Sequence, residues 1–159
     1  MRGVAHFVRR RSVTAASCAL TLVLCALPAF AFPPAQLTVE EMKSRIASTS
    51  VRDRPHLCLE IAERQLDAAD KLYNAAQIEQ AQSTLTDVVA YSELARDYAV
   101  QSHKHQKQTE IAVRNMTRRL TDIEHLVTHD EEGPIQAAIN RLQRVRDDLL
   151  MAMFPKGKQ

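Results

Sequence analysis

Six histidines and three cysteines are the side chains whose spacing could support chemistry. His125 and His129 stand four residues apart. On one helix that spacing turns two imidazoles to the same face, where they can share a metal ion, and Asp130 and Glu131 could add oxygen ligands. Leu126 follows His125, so the pattern is not His-Glu-x-x-His and places no metalloprotease base. The plainer reading is a solvated helix end, where a protonated imidazole also suits the C-terminal dipole. The sequence therefore predicts no bound metal and no cofactor, with His125 and His129 as the pair to check.

His103 and His105 flank Lys104 in a polar stretch. Antiparallel helix pairing would bring His56 and Cys58 towards that stretch, and a His56, Cys58, His103 cluster would suit a soft metal or haem. Nothing in the spacing demands it. Cys58 is expected to be a small buried hydrophobe, with an intermolecular disulfide as the second reading. A catalytic thiol paired with His56 is the third and least favoured reading, because residues two apart on a helix diverge by roughly 200°. Asp147 and Asp148 are neighbours on a helix and do not face each other. No Ser-His-Asp set can be assembled, so no enzyme is expected.

The start of the chain carries an address. Arg2, Arg9, Arg10 and Arg11 form a basic opening, and Ser12 to Phe32 has no charge. The apolar run Ala19 to Leu27 is shorter than the roughly 20 residues that a span requires. It ends in Pro28-Ala29-Phe30-Ala31, an A-x-A site. These features predict a secretory signal peptide over 1–31, cleaved after Ala31, and a periplasmic or secreted product. Thr14 spoils a twin-arginine match, and Leu24 before Cys25 spoils a lipoprotein box. Cleavage removes four arginines and no acid, so 21 basic residues become 17 against 19 acidic ones. That balance gives no general attraction for nucleic acid, and no stable membrane span remains. Cys58 becomes the only cysteine, in a compartment where disulfides form.

The elements that must position these side chains are helices. His56 to Glu132 contains neither Gly nor Pro, the two main helix breakers. An N-terminal segment, 32–54, holds a short helix at 39–48, opened by the capping-box pattern Thr38-Val39-Glu40-Glu41. The helical domain covers 55–153, and 154–159 is a tail. A second helix opens at Pro55, with Leu59, Ala62, Leu66, Ala69 and Tyr73 on one stripe. From Ile78 to Val127 one 3-4 spacing of seam positions persists, which predicts a single continuous helix over about 78–128. A last helix begins at Gly133-Pro134, with Ile135, Ala138, Leu142, Val145 and Leu149 as its stripe.

The fold class is all-α. The preferred arrangement is elongated, with two antiparallel hairpins built around the long central helix in a coiled-coil-like manner. The alternative breaks that helix within 101–106 and makes a compact four-helix bundle. The continuous helix is preferred because no Gly or Pro marks a break. It would leave its small and polar middle, Ser92, Ala95, Ala99, Ser102, Gln106 and Thr109, exposed as an interface for a partner or a second copy.

Residues 65–88 resemble a single tetratricopeptide-like hairpin. Leu72 takes the aromatic position, Ala76 the usual glycine, Ile78 the next aromatic, Ala81 the small residue, and Leu85 and Val88 follow at the right spacing. Gln65 stands where Trp is usual, and no second copy follows. The resemblance implies two helices packed closely at Ala69 and Ala81, not a peptide-binding superhelix. Leu37-Thr38-Val39-Glu40-Glu41 resembles the LTxxQ motif of the periplasmic stress chaperones, with Glu41 in place of Gln. Leu85-Thr86-Asp87-Val88 returns as Leu120-Thr121-Asp122-Ile123, five heptads on, which would put both copies on one seam.

The function these features imply is an exported, non-enzymatic helical protein that acts by protein–protein contact, through self-association, possible homodimerisation included, or as an envelope adaptor. The LTxxQ resemblance implies the alternative of a periplasmic stress chaperone or metal-responsive protein.

Overall fold

The computed structural model describes residues 37–155. The expected signal peptide, its cleavage site after Ala31, and residues 156–159 of the tail lie outside the described residues. Five helices follow in order: α1 (Val39–Arg45), α2 (Arg54–Asn74), α3 (Ile78–Ser102), α4 (Gln106–Glu124) and α5 (His129–Met153). The protein is all-α, and the packing is that of a helical bundle.

α1 starts as its sequence dictates. The Glu41 N–H donates to Thr38 Oγ1 at 3.2 Å, and the Thr38 N–H donates to the Glu41 carboxylate at 2.8 Å. Two orphan donors are thereby satisfied. The helix ends at Arg45, three residues before the expected end. Ser48 and Thr49 donate their hydroxyls to the Arg45 carbonyl at 3.0 and 2.8 Å, closing a turn that competes with helix continuation. Met42 is fully buried. Lys43 donates to Asp87 of α3 at 3.0 Å and lies 5.5 Å from the Tyr91 ring centroid. Arg64 of α2 donates to the Leu37 carbonyl. These contacts fix α1 against the α2–α3 pair.

α2 and α3 form an antiparallel hairpin and make the most extensive helix–helix contact. Gln65 reaches Asp87 at 2.8 Å across it. The turn carries Ala76 at φ 55°, the left-handed region that an L side chain enters at a cost of roughly 1–2 kcal/mol. Ala69 and Ala81 are both fully buried where the hairpin closes.

The continuous helix over 78–128 is not formed. α3 stops at Ser102, and His103 and His105 both adopt positive φ, 52° and 60°. Two left-handed residues cost about 2–4 kcal/mol together. The break lets α4 fold back and bury Val113, Met116, Leu120 and Ile123, each worth about 1.5–3 kcal/mol. Burial outweighs the strain, so a break forms without Gly or Pro. The arrangement is therefore the four-helix alternative, with α1 added.

α5 begins at His129, ahead of Gly133-Pro134, which fall inside its first turns. Thr128 caps it, its N–H donating to the Glu131 carboxylate at 3.1 Å. The expected stripe Ile135, Ala138, Leu142, Val145 and Leu149 is buried throughout.

Side-chain pairs give the topology. Arg146 of α5 meets Glu110 of α4 at 2.9 Å, as an antiparallel hairpin requires. Arg141 holds Glu93 through three bonds of 2.8, 2.9 and 3.2 Å, and Arg96 reaches Asp148 at 2.8 Å, so α3 and α5 run the same way. Arg119 of α4 meets Asp67 of α2 at 2.7 Å. The two hairpins lie side by side, α2 next to α4 and α3 next to α5. Burial repeats accordingly. Leu85, Val88, Val89, Ser92, Ala95 and Ala99 are buried, and so are Ile135, Ala138, Ile139, Leu142, Val145 and Leu149, each fifty residues later. The Leu-Thr-Asp echo does not follow this offset. Its copies fall on α3 and α4, on successive antiparallel helices rather than one seam.

Candidate functional site at the broken end of the bundle

The end where α3 breaks also holds the start of α2, and the two are tied together. Arg54 donates to the carbonyls of Thr49 and Ala47 at 3.0 and 3.1 Å. Its guanidinium also lies 5.1 Å from the Tyr98 ring centroid on α3, a cation–π contact. One side chain thus pins the α1–α2 connection to the last turns of α3. Thr109 is buried and returns its hydroxyl to the His105 carbonyl at 2.9 Å, which fixes the start of α4.

Between these anchors lies a cleft of about 410 Å³, lined by Leu37, Arg45, Thr49, Asp53, His56, Leu57 and His105. Leu37 and Leu57 supply apolar wall. Arg45, His56 and His105 are exposed and supply donors. The Asp53 carboxylate accepts from Ser50 Oγ at 2.6 Å. An apolar lining with a few convergent polar groups is the make-up of a recognition site.

His105, not His103, joins His56 at this cleft. The His56, Cys58, His103 cluster is not assembled, because Cys58 turns into the core and has no exposed surface. Its thiol is free, and burial pushes its pKa up to about 11. A bridge to a second chain would require Cys58 to leave the core. His125 and His129 do not share a helix face: α4 ends at Glu124, His125 is its C-cap and His129 opens α5. His129 Nδ1 pairs with Glu132 at 3.0 Å. Among the described residues, no group of three or more His, Cys, Asp or Glu side chains is placed to hold a metal ion.

The expected interface seam is closed by this chain itself. Ser92, Ala95, Ala99 and Thr109 are fully buried, and Ser102 and Gln106 are half-buried. The break folds α4 and α5 over the face that a continuous helix would have left open. The first hairpin supplies the small side chains, and α5 supplies Leu142, Val145 and Leu149 at the equivalent positions.

The cleft was only partly visible in the sequence. His56 stood out near the start of the second helix, and His105 stood out beside Lys104 in the polar middle of the expected long helix. Leu37 stood out only as the first residue of the LTxxQ-like segment, and Arg45 and Leu57 gave no signal, because the convergence of all three depends on where α1 docks. No protein-family model, curated protein or solved structure matches the chain.

Proposed function

We propose that this chain is an exported, non-enzymatic binding protein that acts through protein–protein contact, as an adaptor in the cell envelope. The observation that carries the reading is the cleft at the broken end, where Leu37 and Leu57 lie beside Arg45, His56 and His105. An apolar anchor beside a guanidinium suits an apolar side chain of a partner with an adjacent carboxylate. The two imidazoles are exposed, and neither has a hydrogen-bonding partner among the described residues. A general base is ordinarily oriented by a further group, so their arrangement favours binding over catalysis. The LTxxQ-like segment takes part through structure: Glu41 caps α1, and Leu37 lines the cleft.

A photoreactive residue placed at His56 tests this in cells. A discrete crosslinked partner is expected there and is expected to vanish with Arg45→Glu and Leu57→Asp. The same probe at Arg118, exposed on α4, should not give that adduct. No adduct at His56, or an identical one at Arg118, would overturn the proposal.

A further inference from the structure

Three of the five exposed large apolar side chains among the described residues, Val51, Met151 and Phe154, stand with unpaired basic groups at one end of the helical domain; the other two are Leu94 on α3 and Leu126 in the α4–α5 turn at the far end. Val51 is 37% exposed, Met151 63% and Phe154 72%. Val51 lies in the α1–α2 connection, and Met151 and Phe154 close α5. They share an end because Arg54 stacks on Tyr98 of α3, while Val100 and Gln101 line one groove with Met151 and Ala152. Arg52, Lys104 and Lys107 are exposed at the same end and form no ion pair among the described residues. Lys104 sits between the two left-handed histidines, at the tip of the break.

The far end has the opposite charge. Around the α2–α3 and α4–α5 turns stand Glu79, Asp122, Glu124, Asp130, Glu131 and Glu132, with Lys71 as the basic exception. The broken end also carries Asp53, Asp97, Asp147 and Asp148, of which Asp97 and Asp148 are paired with Arg96, so what sets it apart is its unpaired basic groups. A second copy docking by a two-fold axis would bring Arg52, Lys104 and Lys107 against themselves. An anionic bilayer surface meets both features: the apolar tips enter the interface and the basic groups face lipid phosphates.

We infer that the broken end docks peripherally on an anionic lipid surface, through Val51, Met151 and Phe154 with Arg52, Lys104 and Lys107. No helix among the described residues is long and apolar enough to cross a membrane, so the attachment is superficial. The acidic far end is repelled from the same surface, which orients the domain. These side chains lie outside the lining of the cleft, so the docking stands or falls separately from the partner contact proposed above.

Co-sedimentation of residues 32–159 with vesicles tests it. Phosphatidylcholine vesicles containing phosphatidylglycerol should retain the protein at low salt, and pure phosphatidylcholine vesicles should not. Lys104→Glu with Lys107→Glu should weaken retention more than about tenfold, and rising salt should mimic that loss. Met151→Ser with Phe154→Ser should also release it. All four sites are exposed, so unchanged helical circular dichroism is expected and shows that the variants fold. No retention on anionic vesicles, equal retention on both lipids, or retention indifferent to both double variants would overturn the inference.

Discussion

Ser92 of α3 and Leu142 of α5 occupy equivalent positions fifty residues apart, on helices that run in the same direction, and both are fully buried. Ala95 with Val145 and Ala99 with Leu149 repeat the relationship. Small side chains on the first hairpin let α2 and α3 approach closely, and larger ones on α5 fill the space that remains. Leu142→Ala should therefore leave a cavity and cost about 2–5 kcal/mol. Ala99→Leu, which adds volume where α5 already supplies it, should cost about 1–3 kcal/mol by overpacking. Urea unfolding of both variants checks this. Tolerance of Ala99→Leu would mean that the close approach of the first hairpin has slack.

Strain at Ala76 makes a separate prediction. Its φ of 55° lies where glycine is at ease and alanine is not. Ala76→Gly should raise stability by up to about 1 kcal/mol, the relief of strain being offset in part by the freer unfolded chain. Ala76→Val should lower it. Thermal unfolding of the two variants decides the point, and a destabilising glycine would contradict the strain.

These two sets of residues also show what the sequence carried. The stripes of α2 and α5 were legible residue by residue, because an amphipathic face repeats locally. The break at His103 to His105 was not, although its segment was marked as the place for one. Its cause is tertiary: the face of α4 is buried by folding back, and no local residue announces that gain. The same fact reversed the reading of Ser92, Ala95, Ala99 and Thr109, which the periodicity placed on a seam and the fold placed inside. The cleft was legible only in His56, His105 and Leu37, the last through the LTxxQ-like segment rather than as a site residue.

Tyr73 lies in the last turn of α2 with its hydroxyl buried and without a hydrogen-bond partner among the described residues. Burial, and secondarily Glu131, push its pKa up. An unpaired buried hydroxyl costs about 1–3 kcal/mol. Tyr73→Phe keeps the ring and removes the unpaired oxygen, so it should be neutral or stabilising by up to about 1 kcal/mol. A melting temperature several degrees lower would show that the hydroxyl has a partner in solution.

Glu41 gives the fold a defined acid sensitivity. Its bonds to the Thr38 backbone and side chain hold its carboxyl below the ordinary value of 4.5. A depressed carboxylate contributes stability that is present above its unfolded pKa and is lost as pH falls through the folded one. α1 should thus loosen first on acidification, exposing Met42 and opening one wall of the cleft. Hydrogen exchange of α1 amides should accelerate below pH 4.5 while α2–α5 remain protected. Glu41→Gln should produce faster α1 exchange already at neutral pH and remove most of the further acid response. Equal pH dependence in the two proteins would assign the response to another group.

Cys58 is the one cysteine among the described residues. It is fully buried and free, and burial raises its pKa from 9.0 to about 11. The reactive species is the thiolate, so both access and ionisation protect it. Because the folded state holds the proton more tightly, the thiol favours folding below pH 9 and loses that effect as pH rises towards 11. Alkylation of the native protein at pH 8 should be slow and should follow the opening of the bundle, accelerating with urea well before full unfolding if α2 opens locally. The solution mass of residues 32–159, measured by light scattering, should then be the same with and without reductant. Rapid native labelling, or a dimer that reductant dissolves, would mean that Cys58 reaches the surface and that the packing around α2 opens far more readily than its buried neighbours Ala62 and Leu66 imply.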